Sequence, residues 1–219
     1  MGALTTYSNK VRLLLRDANA TFYTAADLLD AINTARKRVA LDTACFRSLE
    51  TVALTQSTET YTLSALTSKG ARAIDLLNLI VVWGQTRVPL FWFPFTEFQT
   101  RMRVWVTNEQ RPAAWSNFGV GPSTVVYVQP VPDQAYVAYA DILYIDIDLV
   151  DDTTTDSLVY PYTEPVAYYA AYTLKYKEQN FGEAALYEQQ YKQKAAWAIS
   201  AGFTRRLPNP YGGGRTGPY

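Results

Sequence analysis

Thr24-Ala-Ala-Asp-Leu-Leu-Asp-Ala-Ile-Asn-Thr-Ala-Arg-Lys-Arg-Val39, followed from Ser48 by Leu49-Glu-Thr-Val-Ala-Leu-Thr55, is the stretch on which the reading of this chain turns. In its first part Leu28, Ile32, Ala35 and Val39 step by four, three and four, which is one face of a helix. Thr24 and Asp27 form a capping-box-like start, with Asp in place of the usual Glu. Asp30, Asn33, Thr34, Lys37 and Arg38 fall on the opposite face, and the helix is expected to reach Asp42. From Ser48 the period changes. Leu49–Thr55 and Thr60–Leu63 are Thr-rich and β-prone, joined by Gln56-Ser-Thr-Glu59. The chain passes from helix to strand here, and the elements on either side follow that division.

Upstream, a shorter helix is expected over Ser8–Asp17, with Val11, Leu14 and Leu15 apolar. Downstream, the apolar run Leu76–Trp83, then Gly84-Gln85 and Arg87–Trp92, reads as a hairpin. Pro94–Met102 suits a short helix opened by proline. Ala113–Phe118, Thr124–Gln129 and Ala135–Ile147 read as strands separated by Gly/Pro turns. Leu143, Ile145, Ile147 and Leu149 alternate with Tyr144, Asp146 and Asp148 as in a half-buried strand. Asp141 breaks that parity, which points to a bulge.

After the polar loop Asp151–Asp156 the helical pattern returns. Val166–Leu174 is apolar nearly all round, as in a helix buried on several sides. Lys175 and Lys177 suit its last turn, and Gly182 is placed to cap it. A long helix from Glu183 carries the stripe Ala184, Tyr187, Tyr191, Ala195 and Ala198, an i,i+4 pair Glu188–Lys192, and a stop at Gly202. Phe203–Tyr219 holds three arginines, no acid, and mostly Gly and Pro, so it reads as a flexible tail. The expected class is α+β: N- and C-terminal helices packed as a bundle, an inserted antiparallel β layer, and an extended C-terminal tail. The expected parts are 1–47, 48–157, 158–202 and 203–219.

Composition narrows function. The chain has 219 residues, 48% hydrophobic and 18% charged, which excludes disorder for most of it. Histidine is absent, so His-dependent triads and His-ligated zinc are excluded. A single cysteine, Cys45, excludes intrachain disulfides and cysteine-cluster metal sites, and suits a cytosolic origin. Twenty basic and twenty acidic residues give zero net charge, unlike a free-standing nucleic-acid binder. No apolar run approaches a membrane span, and the start carries no signal-peptide pattern. No cofactor, metal or catalytic residue is expected. Asp146, Asp148, Asp151, Asp152 and Asp156 lack cation-loop order and read as a solvated strand end and loop. Aromatics reach 14%, with 17 Tyr, a composition suited to contact surfaces.

The order of pieces resembles the head-to-tail adaptor proteins of tailed bacteriophages, particularly the tail-accessory and tubular-tail ring proteins of short-tailed phages. The residues that carry it are Asp27–Arg38, Thr60-Tyr-Thr-Leu63, Ile74–Trp83 leading into a hairpin, Arg111-Pro-Ala-Ala-Trp115, Val125–Asp133, Leu158-Val-Tyr-Pro161, and the two Tyr/Ala-rich helices. The resemblance implies a virion protein at the head–tail junction, made in the host cytoplasm. It further implies a homo-oligomeric ring, often of twelve copies in such adaptors, that binds the portal protein, docks a downstream tail or nozzle protein, and lets double-stranded DNA pass without sequence-specific binding. No membrane is involved.

On that reading the portal-binding tail carries Phe203, Arg205, Arg206, Leu207, Tyr211, Arg215 and Tyr219. Phe91, Trp92, Phe93 and Phe95 are candidate partner-contact aromatics, because buried aromatics dominate interface hot spots. Lys37, Arg38, Lys192 and Lys194 are candidate channel-facing charges. Two other classes compete. A glycan-binding β module would expose coplanar indoles among Trp83, Trp92, Trp105 and Trp115, and a carboxylate hydrolase would show a paired-acid cleft.

Overall fold

The computed structural model describes residues 2–17, 19–103 and 108–203. The fold is α+β. Its helices are α1 (Ala3–Leu15), α2 (Ala25–Thr43), α3 (Phe95–Arg101), α4 (Glu164–Lys177) and α5 (Phe181–Phe203). Its strands are β1 (Arg47–Leu54), β2 (Thr60–Thr62), β3 (Ala73–Trp83), β4 (Thr86–Pro89), β5 (Phe91–Trp92), β6 (Glu109–Gln110), β7 (Ala114–Phe118), β8 (Val125–Gln129), β9 (Val131–Pro132) and β10 (Tyr136–Tyr144). Contacts divide the chain into two compact units. One joins Met1–Cys45 to Ile147–Tyr219, and the other is Phe46–Asp146.

The first unit is helical. Helix α1 begins five residues earlier than the periodicity predicts. Its first-turn donors are met from far along the chain: the Thr5 N–H donates to Asp152 Oδ1 at 2.8 Å, and the Thr5 hydroxyl donates to Asp152 Oδ2. At its other end Arg16 turns left-handed, and Asp17 accepts the N–H groups of Thr21, Phe22 and Tyr23 and the Arg12 guanidinium. Burial opposes the charge on Asp17, yet these donors hold its carboxyl below the usual aspartate range. Helix α2 starts at the predicted cap. Thr24 Oγ1 accepts the Asp27 N–H at 3.1 Å and donates to the Asp27 carboxylate at 2.6 Å.

Leu28, Ile32, Ala35 and Val39 are buried as the stripe requires. Asn33, expected on the polar face, is buried too. Its amide donates to Leu149 O and its Oδ1 accepts the Leu149 N–H, both at 2.9 Å. Helix α4 buries Pro165, Val166, Ala167, Ala170, Ala171 and Leu174, and packs closely on α5 through Ala184, Tyr191, Ala195 and Ala198. Alanines on both helices let the backbones approach. Gly182, expected to cap α4, does not do so. The reversal uses Gln179 at φ 61, and Gly182 lies in the first turn of α5. The bounds of α5 also run past Gly202, the expected stop.

The second unit packs two four-stranded sheets, ordered β1-β10-β3-β4 and β2-β8-β7-β5, with a β6-β9 pair beside them. Strands β1 and β2 follow one another but do not pair; β1 joins β10 and β2 joins β8. The hairpin β3–β4 turns at Gly84, whose φ of 59 favours glycine. The segment expected as one arm, Arg87–Trp92, divides after Pro89. Phe91 and Trp92 cross to the other sheet and run parallel to β7. The longer pairings are antiparallel, as expected of the inserted layer, and only the two-residue pairings β5–β7 and β6–β9 are parallel among the described residues.

Leu54, Leu79, Val81, Trp115, Val126, Val128, Ala138 and Ile142 form the shared core between the two inner faces. On the outer face of the second sheet, α3 seats Phe98, fully buried, near Tyr127, while Phe95 packs on Phe118 and Tyr127. The irregularity expected near Asp141 is present as a register shift between Asp141 and Ile142. Strand β10 ends at Tyr144, not at Ile147, because the backbone of Ile147 and Leu149 is bound by side chains of α2.

Candidate functional site

The polar centre of the helical unit is built on Asp156. Its Oδ1 accepts Arg36 Nη2 at 2.7 Å and the Leu158 N–H at 3.0 Å, and its Oδ2 accepts the Tyr7 hydroxyl at 2.7 Å. Arg36 Nη1 donates to Ile147 O at 2.8 Å. Burial, then the bond to Asp156, pushes the Tyr7 phenol far above its ordinary range. The donors named here bind acceptors on the 147–158 segment or belong to it, so the arrangement clamps chain.

The other acids of the expected cluster are dispersed. Asp146 pairs with Arg72, Asp148 with Lys37, Asp151 with Thr153 and Thr154, and Asp152 with Thr5. Among the described residues no three acidic or thiol side chains gather as a metal site.

The expected partner-contact aromatics separate by burial. Phe91 and Trp92 are 71% and 53% exposed, while Phe93 and Phe95 are half-buried. The indole of Trp92 is held in place. Its N–H donates to Asn117 Oδ1 at 3.2 Å, and the Asn117 amide donates to Asp75 Oδ1 at 3.2 Å. Burial pushes the Asp75 carboxyl above the usual aspartate range, against the bonds from the Leu76 N–H and Asn117. Sequence reading missed this chain, because Asp75 stands inside an apolar run where nothing marks its partner.

The remaining indoles of that set stand in different surroundings. Trp115 is 2% exposed, Trp83 lies beneath the Arg111 guanidinium at 4.5 Å, and Trp105 lies outside the described residues.

The expected channel-facing charges lie on α2 and α5. Lys37 is paired with Asp148 at 2.8 Å, Arg38 with Asp42 at 2.9 Å and Lys192 with Glu188 at 2.6 Å, and Lys194 sits 6.0 Å from the Tyr168 ring centre. Of the expected portal-binding tail, Phe203 closes α5. Arg205, Arg206, Leu207, Tyr211, Arg215 and Tyr219 lie outside the described residues.

A cavity of about 380 Å³ opens between α1, α4 and α5, lined by Leu14, Arg16, Lys175, Glu183, Leu186 and Tyr187. Burial works against the Lys175 ammonium. Hydrogen bonds to Glu178 and Glu183 outweigh it and hold the group above the ordinary lysine range. No helix among the described residues is long and apolar enough to cross a membrane. No protein-family model matches the chain, and no curated protein matches it.

Proposed function

We propose that this chain is a structural joint of a phage virion. It would stand at the neck as a head-to-tail adaptor ring of twelve copies that binds the portal, extends the DNA channel and docks the next tail component. The observation that supports this best is the architecture: both chain ends contribute to one helical unit, and the β unit is inserted between them in sequence. This is the order of parts that the resemblance implies. Phe91 and Trp92, exposed on an edge strand, are suited to partner contact. Double-stranded DNA would pass the ring held only loosely, since tight phosphate contacts slow a sliding polyanion. Against the glycan-binding alternative, Trp115, one of the four indoles named for it, is in the core.

Attachment is assigned to Phe203–Tyr219. Ordering each of its residues opposes docking by about 1 kcal/mol, so one tail binds weakly and many tails in a ring bind together through multivalency. Deleting residues 203–219 is expected to abolish co-sedimentation with the portal while leaving the thermal unfolding midpoint unchanged. Retained attachment would reject the role of the tail. Virions whose neck lacks this protein in electron micrographs would reject the adaptor reading itself.

A further inference from the structure

The sheet ordered β1-β10-β3-β4 has two edges, and the fold treats them differently. The direction of their backbone groups follows from two hydrogen bonds. The Tyr144 N–H donates to Phe46 O at 3.1 Å, so by antiparallel alternation Ser48, Glu50, Val52 and Leu54 face β10. Arg47, Leu49, Thr51 and Ala53 then aim N–H and C=O away from the sheet. The Leu90 N–H donates to Leu79 O at 2.9 Å, which in the same way leaves Arg87 and Pro89 outward on β4.

Strand β4 is blunted in the ways natural edges are. It is four residues long, and its outward positions are a charged side chain and a proline with no N–H. Strand β1 has no such protection. It is eight residues long, its outward positions Leu49, Thr51 and Ala53 are uncharged and exposed, and Arg47 at its start is tied to Asp141. Among the described residues no hydrogen bond reaches the outward backbone groups of Leu49, Thr51 or Ala53. A groove of about 400 Å³ lies along this edge, between Glu50–Ala53 and Ala65–Ser68.

We propose that β1 pairs edge to edge with β1 of a second copy, antiparallel about a two-fold axis. The occupant follows from matching. The chain's other outer strands cannot serve, since β4 is blunted, β2 has three residues and β5 has two. The register follows from charge and from the number of outward groups that it pairs. Centring the pair on Glu50 would set two carboxylates opposite each other, which is destabilising. Centring it on Thr51 sets Thr51 against Thr51, Leu49 against Ala53 and Glu50 against Val52. That register gives a Thr–Thr pair and a large residue against a small one, and pairs every outward group of Leu49, Thr51 and Ala53. The contact is isologous and closes on two copies, so it neither requires nor generates a ring.

Sedimentation equilibrium of the full chain over a concentration series, with amide exchange read residue by residue, tests this. The expected result is a species of twice the 24.6 kDa chain mass. The amides of Leu49, Thr51 and Ala53 should slow at least about tenfold as it forms. Thr51→Pro removes an outward N–H without touching the β10 ladder and should give a monomer; Leu49→Lys should do the same by placing a charge at the edge. In a Cys45→Ser background, Thr51→Cys should cross-link two chains under mild oxidation, and Arg87→Cys should not. A wild-type chain that stays monomeric with fast exchange at these amides would overturn the proposal and leave the edge to a strand of another protein. A two-copy species that persists with Thr51→Pro, its amide protection unchanged, would overturn it while leaving the adaptor reading intact.

Discussion

Asp156→Ala is the substitution whose cost follows most directly from the structure. Arg36 and Asp156 keep 3% and 5% of their side-chain surface exposed and meet at 2.7 Å. Removing the carboxylate takes a close counter-charge and acceptor from a buried guanidinium, a loss of the kind that costs about 3–5 kcal/mol. The Tyr7 hydroxyl and the Leu158 N–H lose their acceptor in the same step, so the lower figure is a floor. For a chain of this length each kcal/mol moves the unfolding midpoint by about 2–4 °C, so a fall of about 6 °C or more is expected. Differential scanning calorimetry measures it. The double variant Arg36→Met with Asp156→Leu removes both charges and should be less damaging than Asp156→Ala alone. A fall under about 2 °C for the single variant, or a double variant no better than it, would refute the claim that loss of the Asp156 carboxylate beside a buried guanidinium sets the cost.

Two further outcomes can be measured directly. Phe98→Ala empties the fully buried site beneath α3 and should lower stability by about 3–5 kcal/mol in a urea titration; a loss under 1 kcal/mol would mean that α3 does not rest on this ring. Burial and the hydrogen bond to Glu178 push the Tyr23 phenol up to about 12, from an ordinary 10. A raised folded-state value gives stability that is complete below pH 10 and lost as pH rises through about 12. Urea midpoints should therefore fall over that window, and fall less in Tyr23→Phe; equal falls in both proteins would exclude Tyr23 as a contributor.

Much of the fold was written locally. The i,i+3/i+4 spacing of Leu28, Ile32, Ala35 and Val39 and the Thr24 cap specify α2 without help from the rest of the chain. Alternating Thr-rich and aliphatic runs specify strands, and the wrong parity of Asp141 marks the register shift beside it. Local spacing also separates Arg36, which turns inward, from Lys37 and Arg38, which are exposed.

What periodicity does not carry is any partner supplied from a distance. Helix α1 begins at Ala3 because Asp152, 147 residues beyond Thr5, satisfies its first turn. Asn33 looks like a surface residue until Leu149 supplies both halves of its hydrogen bonding. Strand β10 stops at Tyr144 because α2 takes the backbone beyond it. The candidate surface divides in the same way. The aromatic content of Phe91–Phe95 is plain in the sequence, but the orientation of Trp92 depends on Asn117 and Asp75 from two other strands. Sequence by itself therefore determined the element types and their order, since those rest on short-range geometry and side-chain period. Tertiary structure alone decided where elements begin and end, which polar groups are buried and which sheet edge is left open, since those depend on which donors and acceptors the folded chain brings within hydrogen-bond reach.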